Sequence, residues 1–393
     1  MYSEISMPKG FKCAGISAGI KAGGVKDMAL ILSDVPTSSA GVFTTNQVCA
    51  APVKVCREHL KGGTARAIVM NSGVANACTG TDGMTAARKM AAETAERLGC
   101  NSQEIFVCST GKIGPQLPLD KIVTGIGVLL SSAGSDRVQE TAEAMMTTDT
   151  RPKVSTVELE IGGQAVKVVG FAKGAGMIEP NMATMLSYIT TDAAVESSAL
   201  QSLLKKAVDR SFNRISIDGD QSTNDTVLAL ANGAAGNEAL NEDSPEWIAF
   251  AGAFEKICFE LAMMIVHDGE GADKFVTVNV RGAASDEDAE LVARAVANSM
   301  LNKTAWAGTY PDWGRIMDSI GYSKARVIED QVDIFYDDTQ AVSGGCASGV
   351  TLDALIKVVS QTDFAININL YIGEGASTVY TCNCTEEYVR INF

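Results

Sequence analysis

Apolar positions along this chain recur with two periods, and the switches between them mark out its elements. Residues 29–32 and 41–45 are short apolar runs among glycine-rich turns and read as strands. Residues 67–70 form another, entering a turn that runs from Asn71 to Gly80. Over residues 85–98 the spacing is helical and alanine-rich, with Gly99 at the left-handed cap position. Residues 104–108 read as a strand delivering Ser109-Thr-Gly-Lys-Ile-Gly-Pro115, and helical spacing returns at 119–131 and 138–146. Residues 154–161 and 166–169 pair as a hairpin turning at Gly162-Gly163. Strand, glycine turn and helix in alternation predict an α/β chain.

The hairpin leads into Lys173-Gly-Ala-Gly-Met-Ile-Glu-Pro-Asn-Met-Ala-Thr-Met-Leu186, followed by the β-prone residues Tyr188 and Ile189. Ser197 is placed to cap a helix to residue 212, with Leu200, Leu203, Leu204, Ala207 and Val208 at helical spacing. Residues 215–217 read as a strand running into the polar loop Asp218-Gly-Asp-Gln-Ser-Thr-Asn-Asp225, and Pro245 opens a long helix to residue 266. After residue 273 the texture changes. Strands are expected at 275–280, 332–336 and 364–372, helices at 285–301 and 352–359, and 377–382 and 388–391 close the chain. The expected organisation is a catalytic α/β domain over 1–272 and a smaller α+β domain over 273–393.

Composition narrows the function classes. The 46% hydrophobic and 20% charged fractions suit a globular chain, and no apolar run approaches a bilayer span. A net charge of −15 disfavours a nucleic-acid partner, because phosphate-backbone affinity rests on clustered Lys and Arg. The ten cysteines include no Cys-x-x-Cys pair and read as reduced thiols of a soluble intracellular protein. A cytoplasmic location fits, or an organelle matrix if a transit peptide has been removed. The 218–225 loop carries Thr223 and Ala229 where a calcium-binding loop needs Gly and Glu, so no metal site is expected; capping and turn roles are expected for its Asp and Asn residues. With only His59 and His267 in the chain, a histidine-independent nucleophile becomes attractive.

Ala183–Thr184 offers one. A flexible glycine stretch and Pro180 precede it and a buried-type strand follows. If the bond before Thr184 is cut, one residue gains both a nucleophilic hydroxyl and a nearby amine base. Pattern alone favours an ordinary strand whose threonine packs. Thr110-Gly111, at the expected end of a strand, could present unhindered donors to an oxyanion, or form a plain turn.

Taken in order, the motifs resemble one family, the ornithine acetyltransferases or glutamate N-acetyltransferases of arginine biosynthesis. The resemblance rests on Ala40-Gly-Val-Phe-Thr-Thr-Asn46, the Asn71–Gly80 turn, Ser109-Thr-Gly-x-Ile-Gly114 and Thr147-Thr-Asp-Thr150. It continues through the Lys173–Leu186 stretch, Asp218-Gly-Asp-x-Ser-Thr-Asn-Asp-Thr226, His267-Asp-Gly-Glu-Gly-Ala272 and Trp313-Gly-Arg-Ile316, spanning nearly the whole chain.

The resemblance implies an α-β-β-α sandwich similar to N-terminal-nucleophile hydrolases but differently connected. It implies self-cleavage between Ala183 and Thr184 into chains 1–183 and 184–393, assembled as α2β2. Thr184 would accept the acetyl group of N-acetylornithine and pass it to glutamate. Thr110 and Gly111 would form the oxyanion hole, and Thr147, Lys173, Thr184, Glu270 and Asn392 would hold the amino-acid substrate. On charge, Lys173 and Glu270 suit the carboxylate and ammonium ends. No bound cofactor is implied, and acetyl-coenzyme A stands open as a second acetyl donor.

Three departures stand out. The family continues past the Ile-Asn pair and adds a final Ser or Thr, where this sequence ends at Phe393; Lys112 replaces an apolar residue, and Gln221 replaces a threonine. Two other readings fit the residues: an autoprocessing aminopeptidase or amidase whose acyl-enzyme is captured by water, and a binding protein that keeps the fold without cleaving.

Overall fold

The computed structural model describes residues 4–179 and 185–393. Ala183 and Thr184 therefore lie outside the described residues. The chain forms two compact units, one from Met1–Gly174, Pro180–Asn213 and Gln221–Ile265, the other from Ala175–Glu179, Arg214–Asp220 and Val266–Phe393.

In chain order the first unit carries β1 (Phe11–Ile16), β2 (Met28–Phe43), α1 (Ala51–His59), β3 (Thr64–Val74), α2 (Gly80–Leu98), β4 (Ile105–Lys112), α3 (Leu119–Ser132) and α4 (Val138–Met145). It continues with β5 (Lys153–Ile161), β6 (Gln164–Lys173), β7 (Leu186–Thr191) and α5 (Ser197–Arg210). The short β8 (Ile215–Ser216) belongs to the second unit, while β9 (Thr226–Ala231) and α6 (Trp247–Val266) return to the first. The second unit then runs through β10 (Phe275–Ala283), α7 (Asp286–Asn298), α8 (Met300–Ala307), α9 (Trp313–Tyr322), β11 (Asp333–Tyr336) and β12 (Thr339–Ser343). It ends with β13 (Cys346–Ala347), α10 (Leu352–Val359), β14 (Asp363–Asn369), β15 (Gly375–Cys382) and α11 (Glu386–Ile391).

The sheet of the first unit has the order β4-β3-β2-β9-β7-β6-β5, with β1 also on β2. Strands β9 and β7 run parallel to each other and fill the gap between β2 and β6, each pairing antiparallel with its outer neighbour. Alternation along β6 shows that both faces are covered. Val169 and Phe171 join the core that takes in α1 to α4. Between them, Gly170 faces Ile257 and Leu261 of α6 so closely that a Cβ there would lie 2.8 Å from Leu261. The second unit's sheet has the order β13-β12-β11-β14-β10-β15-β8 and its own apolar core around Trp306, Tyr336 and the α7 valines. The architecture is mixed α/β, as the sequence pattern requires. No helix of the described residues is long and apolar enough to cross a membrane.

Several elements differ from their sequence pattern for identifiable reasons. Residues 29–32 and 41–43 belong to one long strand, β2, which ends at Phe43 and leaves Thr44 and Thr45 outside it; its exposed middle with Pro36 contains a register shift between Leu32 and Thr37. Helix α1 escapes the pattern because Ala50 offers no polar cap; Pro52 in its first turn supplies the start signal. Ser197 is the first helical residue of α5, with Glu196 at the cap position. Residues 285–301 do not form one helix. Ser299, in extended geometry, ends α7 and caps α8 by accepting from Asn302 N.

Candidate active site

Strand β4 continues through Lys112, which still pairs with Val74, so Thr110 and Gly111 are paired strand residues rather than a turn beyond it. Gly111 has φ +125°, and a Cβ there would overlap the Gly73 backbone on the neighbouring strand. Only glycine lets β3 and β4 approach this closely. Lys173, at the end of β6 and only 7% exposed, donates from Nζ to Thr110 Oγ1 at 3.2 Å. A lysine ammonium can only donate. The Thr110 proton must therefore point elsewhere, and it has no acceptor among the described residues. A buried hydroxyl polarised by a cation and left with a free proton is a ready oxyanion donor.

Asp149 ties this arrangement together. Its Oδ1 accepts from Gly174 N at 2.7 Å and Lys153 Nζ at 2.6 Å, and its Oδ2 accepts from Thr147 N at 2.9 Å. Burial alone would raise its pKa. The charges of Lys153 and Lys173 and the Gly174 N–H outweigh that and hold the carboxyl well below the usual range. One carboxylate thus fixes Thr147 and the chain leaving Lys173.

Two residues of the polar loop complete the arrangement in the first unit. Asn224 donates from Nδ2 to Ser109 O at 2.8 Å and Ala75 O at 2.6 Å, holding the strand just before Thr110. Asp225 is 3% exposed, and its Oδ2 has no hydrogen-bond partner among the described residues. Burial pushes its carboxyl well above the usual range, against the opposing pull of Lys173, Ser222 and the Met185 N–H. Asp225 immediately precedes β9 and Met185 precedes β7, and the pairing continues through Thr226 N to Met185 O at 3.1 Å.

In the second unit Glu270, 7% exposed, accepts from Asn392 Nδ2 at 2.5 Å, and its backbone N–H donates to Ala175 O at 2.8 Å. A Cβ on Gly176 would lie 2.5 Å from both Glu270 carboxylate oxygens, so Ala175-Gly176 wraps the carboxylate as only glycine allows. Asp218 accepts from Met177 N at 2.6 Å, Ile178 N at 2.8 Å and Tyr388 Oη at 3.1 Å, fixing the segment that leads toward residue 180.

The residues singled out in the sequence thus fall into two groups. Thr110, Gly111, Thr147 and Lys173 come together in the first unit, and Glu270 and Asn392 come together in the second.

The sequence profile of the ArgJ family matches residues 12–393. The chain belongs to this family. ArgJ relatives include the arginine biosynthesis bifunctional protein ArgJ of Geobacter sulfurreducens, 48% identical over 385 residues, 98% of each chain. The protein of the same name from Symbiobacterium thermophilum is 45% identical over 390 residues, 99% of this chain and 97% of its own. A crystal structure of the Bacillus halodurans arginine biosynthesis bifunctional protein argJ superposes with a TM-score of 0.51 at 40% identity, covering 53% of this chain and 99% of that one.

Sequence reasoning alone gave Asp218, Asn224 and Asp225 capping and turn roles. Asp149 stood in a motif without a role. Two acids and an amide crowded before the apolar strand of an ArgJ chain were the available signal. Their partners, such as Tyr388 for Asp218, lie as many as 170 residues away.

Proposed function

We propose that this chain is the self-processing acetyltransferase of arginine biosynthesis that moves acetyl from N-acetylornithine to glutamate. The carrying observation is the first-unit arrangement of Lys173, Thr110 and Gly111 within a chain matched by the ArgJ family over residues 12–393. After cleavage before Thr184, its hydroxyl attacks the acetyl carbonyl of N-acetylornithine while its own amine takes the hydroxyl proton. Negative charge gathers on the carbonyl oxygen, which the Thr110 hydroxyl and Gly111 N–H stabilise. The C–N bond then breaks, and the proton passes to the departing ornithine amine. The glutamate amine attacks the acetyl-threonine by the same route, releasing N-acetylglutamate and restoring the threonine hydroxyl.

In the first unit, Thr147 and Lys173 contribute to holding the amino-acid substrate. The name "bifunctional" carried by the relatives fits a second use of acetyl-coenzyme A as donor to glutamate, a substrate rather than a resident cofactor. The Bacillus halodurans chain is about half the length of this one by its coverage, which supports processing into chains 1–183 and 184–393. An α2β2 assembly in the cytoplasm completes the reading.

Intact mass measurement tests it. Wild type incubated with N-acetylornithine should give two fragments, with one acetyl group on the later fragment alone, discharged by glutamate. Thr184→Ala should remain uncut and unlabelled. Acetate release without transfer to glutamate would make the enzyme an amidase, and an uncut wild type would leave a binding protein.

A further inference from the structure

Lys21 lies outside every motif that carries the chemistry, yet the fold delivers its ammonium to the site. It sits in the connection between β1 and β2. The buried carboxylate of Asp27 accepts the backbone N–H groups of Ala18 at 2.6 Å, Ile20 at 2.5 Å and Lys21 at 2.9 Å, so this connection is fixed. Asp27 is itself tied down, its carbonyl accepting from Ser72 N at 2.9 Å.

From there the Lys21 side chain crosses Gly73. A Cβ on Gly73 would lie 2.8 Å from Lys21 Cγ, and Gly73 is the cross-strand partner of Gly111. The half-buried ammonium ends on Met146 O at 3.0 Å, one residue before Thr147. That is its one hydrogen-bond acceptor among the described residues, which leaves two N–H donors available. Burial lowers its pKa; Asp27 and Asp149 oppose this, and the Lys173 charge adds to it. Lys21 and Lys173 are thus near enough to feel each other.

The two substrates differ in charge where this matters. N-acetylornithine carries one carboxylate and one side-chain ammonium. Glutamate, with its amine free to attack, presents two carboxylates. Lys173 answers one, and Lys153 is committed to Asp149 by a buried pair at 2.6 Å. Building on the proposed function, we infer that Lys21 is a specificity-determining residue of the acceptor half-reaction, its ammonium taking the second carboxylate of glutamate.

The two half-reactions separate the inference from the reading beneath it. Lys21→Met keeps the stem that packs on Gly73 and removes the charge. Enzyme acetylation by N-acetylornithine should stay within about twofold of wild type. Discharge of the preformed acetyl-enzyme by glutamate should fall about 100-fold in kcat/KM, mostly through KM, as expected when a carboxylate loses a charged partner. The preference for glutamate over glutamine as acceptor should collapse, Lys21→Arg should restore much of it, and Lys112→Gln, at an exposed side chain, should change neither half-reaction. Equal losses in both halves for Lys21→Met would reduce Lys21 to a structural lysine and overturn the inference. So would unchanged discharge by glutamate, or a loss of glutamate preference in Lys112→Gln. A wild type that forms no acetyl-enzyme from N-acetylornithine would instead overturn the underlying function.

Discussion

The Lys173 ammonium and the Thr110 hydroxyl are hydrogen-bonded across 3.2 Å at a buried strand end. Because lysine supplies the proton in that bond, the threonine proton is aimed away from it. Thr110→Val should therefore lower kcat about 100-fold, roughly 3 kcal/mol, with little change in KM, as for loss of one oxyanion donor. Thr110→Ser should keep most of the rate. Lys173→Met should raise KM for both amino acids and also lower kcat, because it removes a carboxylate partner and frees the hydroxyl. In a double-mutant cycle the two losses should be clearly non-additive. Additive losses in steady-state transfer would mean that the hydrogen bond has no part in catalysis.

Asp149 predicts how the fold responds to acid. Its folded pKa is depressed below the unfolded value of about 3.9, so the native state binds fewer protons. Its contribution to stability is thus fully present above the unfolded pKa and is lost as pH falls through that value toward the folded one. Asp149→Asn should destabilise the protein at neutral pH by about 3–5 kcal/mol, because it breaks the buried ion pair with Lys153 by removing one partner. It should also flatten the fall in stability on the acid side. Urea unfolding at a series of pH values from neutral down to acid reads both effects, and an unchanged acid limb in the variant would contradict them.

Asp225 has the opposite sign. Its folded pKa lies above the unfolded one, so the native state binds more protons and the stability linked to it is lost as pH rises from the unfolded toward the folded value. Asp225→Asn keeps the shape and removes the acid. It should raise Tm by a few degrees in mildly alkaline buffer, with no gain at pH values below the unfolded pKa. Turnover should nonetheless fall, because the acid faces Lys173 and the Met185 N–H beside the proposed nucleophile. Greater stability bought with lower activity marks a group retained for function. Thermal scans at two pH values, paired with transfer assays, check both halves, and a Tm that falls in alkaline buffer would contradict the assignment.

The elements that could be read from sequence are those whose cause is local. Gly99, with φ 66°, closes α2, and Gly162 and Gly163, both at positive φ, turn the β5–β6 hairpin. The course of β2 could not be read that way, because its polar middle mimics a turn and pairing with β1, β3 and β9 on either side of that middle keeps the strand extended. Nor could the placement of β9 and β7 between β2 and β6, which no local pattern encodes. The site divides likewise. Thr110, Gly111, Thr147 and Lys173 came with their motifs. Asp149 and Asn224 bind backbone groups 25 and 115 residues distant, so nothing beside them in the chain announces their roles.

That strand order carries a last prediction about the processed enzyme. If the chain is cut before Thr184, β2 and β6 belong to one fragment while β7 and β9 belong to the other. The new fragment's strands are held on both sides, through Ser38–Phe43 of β2 against β9 and Val168–Lys173 of β6 against β7. The second unit is interleaved too. Ala175–Glu179 comes from the earlier fragment, yet Ile178 O accepts from Ile217 N at 2.7 Å, and Glu179 pairs with Arg294 at 3.3 Å and Asn298 at 2.7 Å. Separating the fragments therefore means breaking two full ladders and the first unit's core, which Leu186, Tyr188, Leu228 and Leu230 share with the earlier fragment. The cut protein should elute as one species in size-exclusion chromatography under native conditions. Its fragments should part only in the urea range where far-ultraviolet circular dichroism is also lost. Asp218→Ala, which releases Met177 N and Ile178 N, should lower that midpoint without separating the fragments in buffer. Fragments that come apart while the secondary structure persists would show that the cut chains are joined by less than this topology requires.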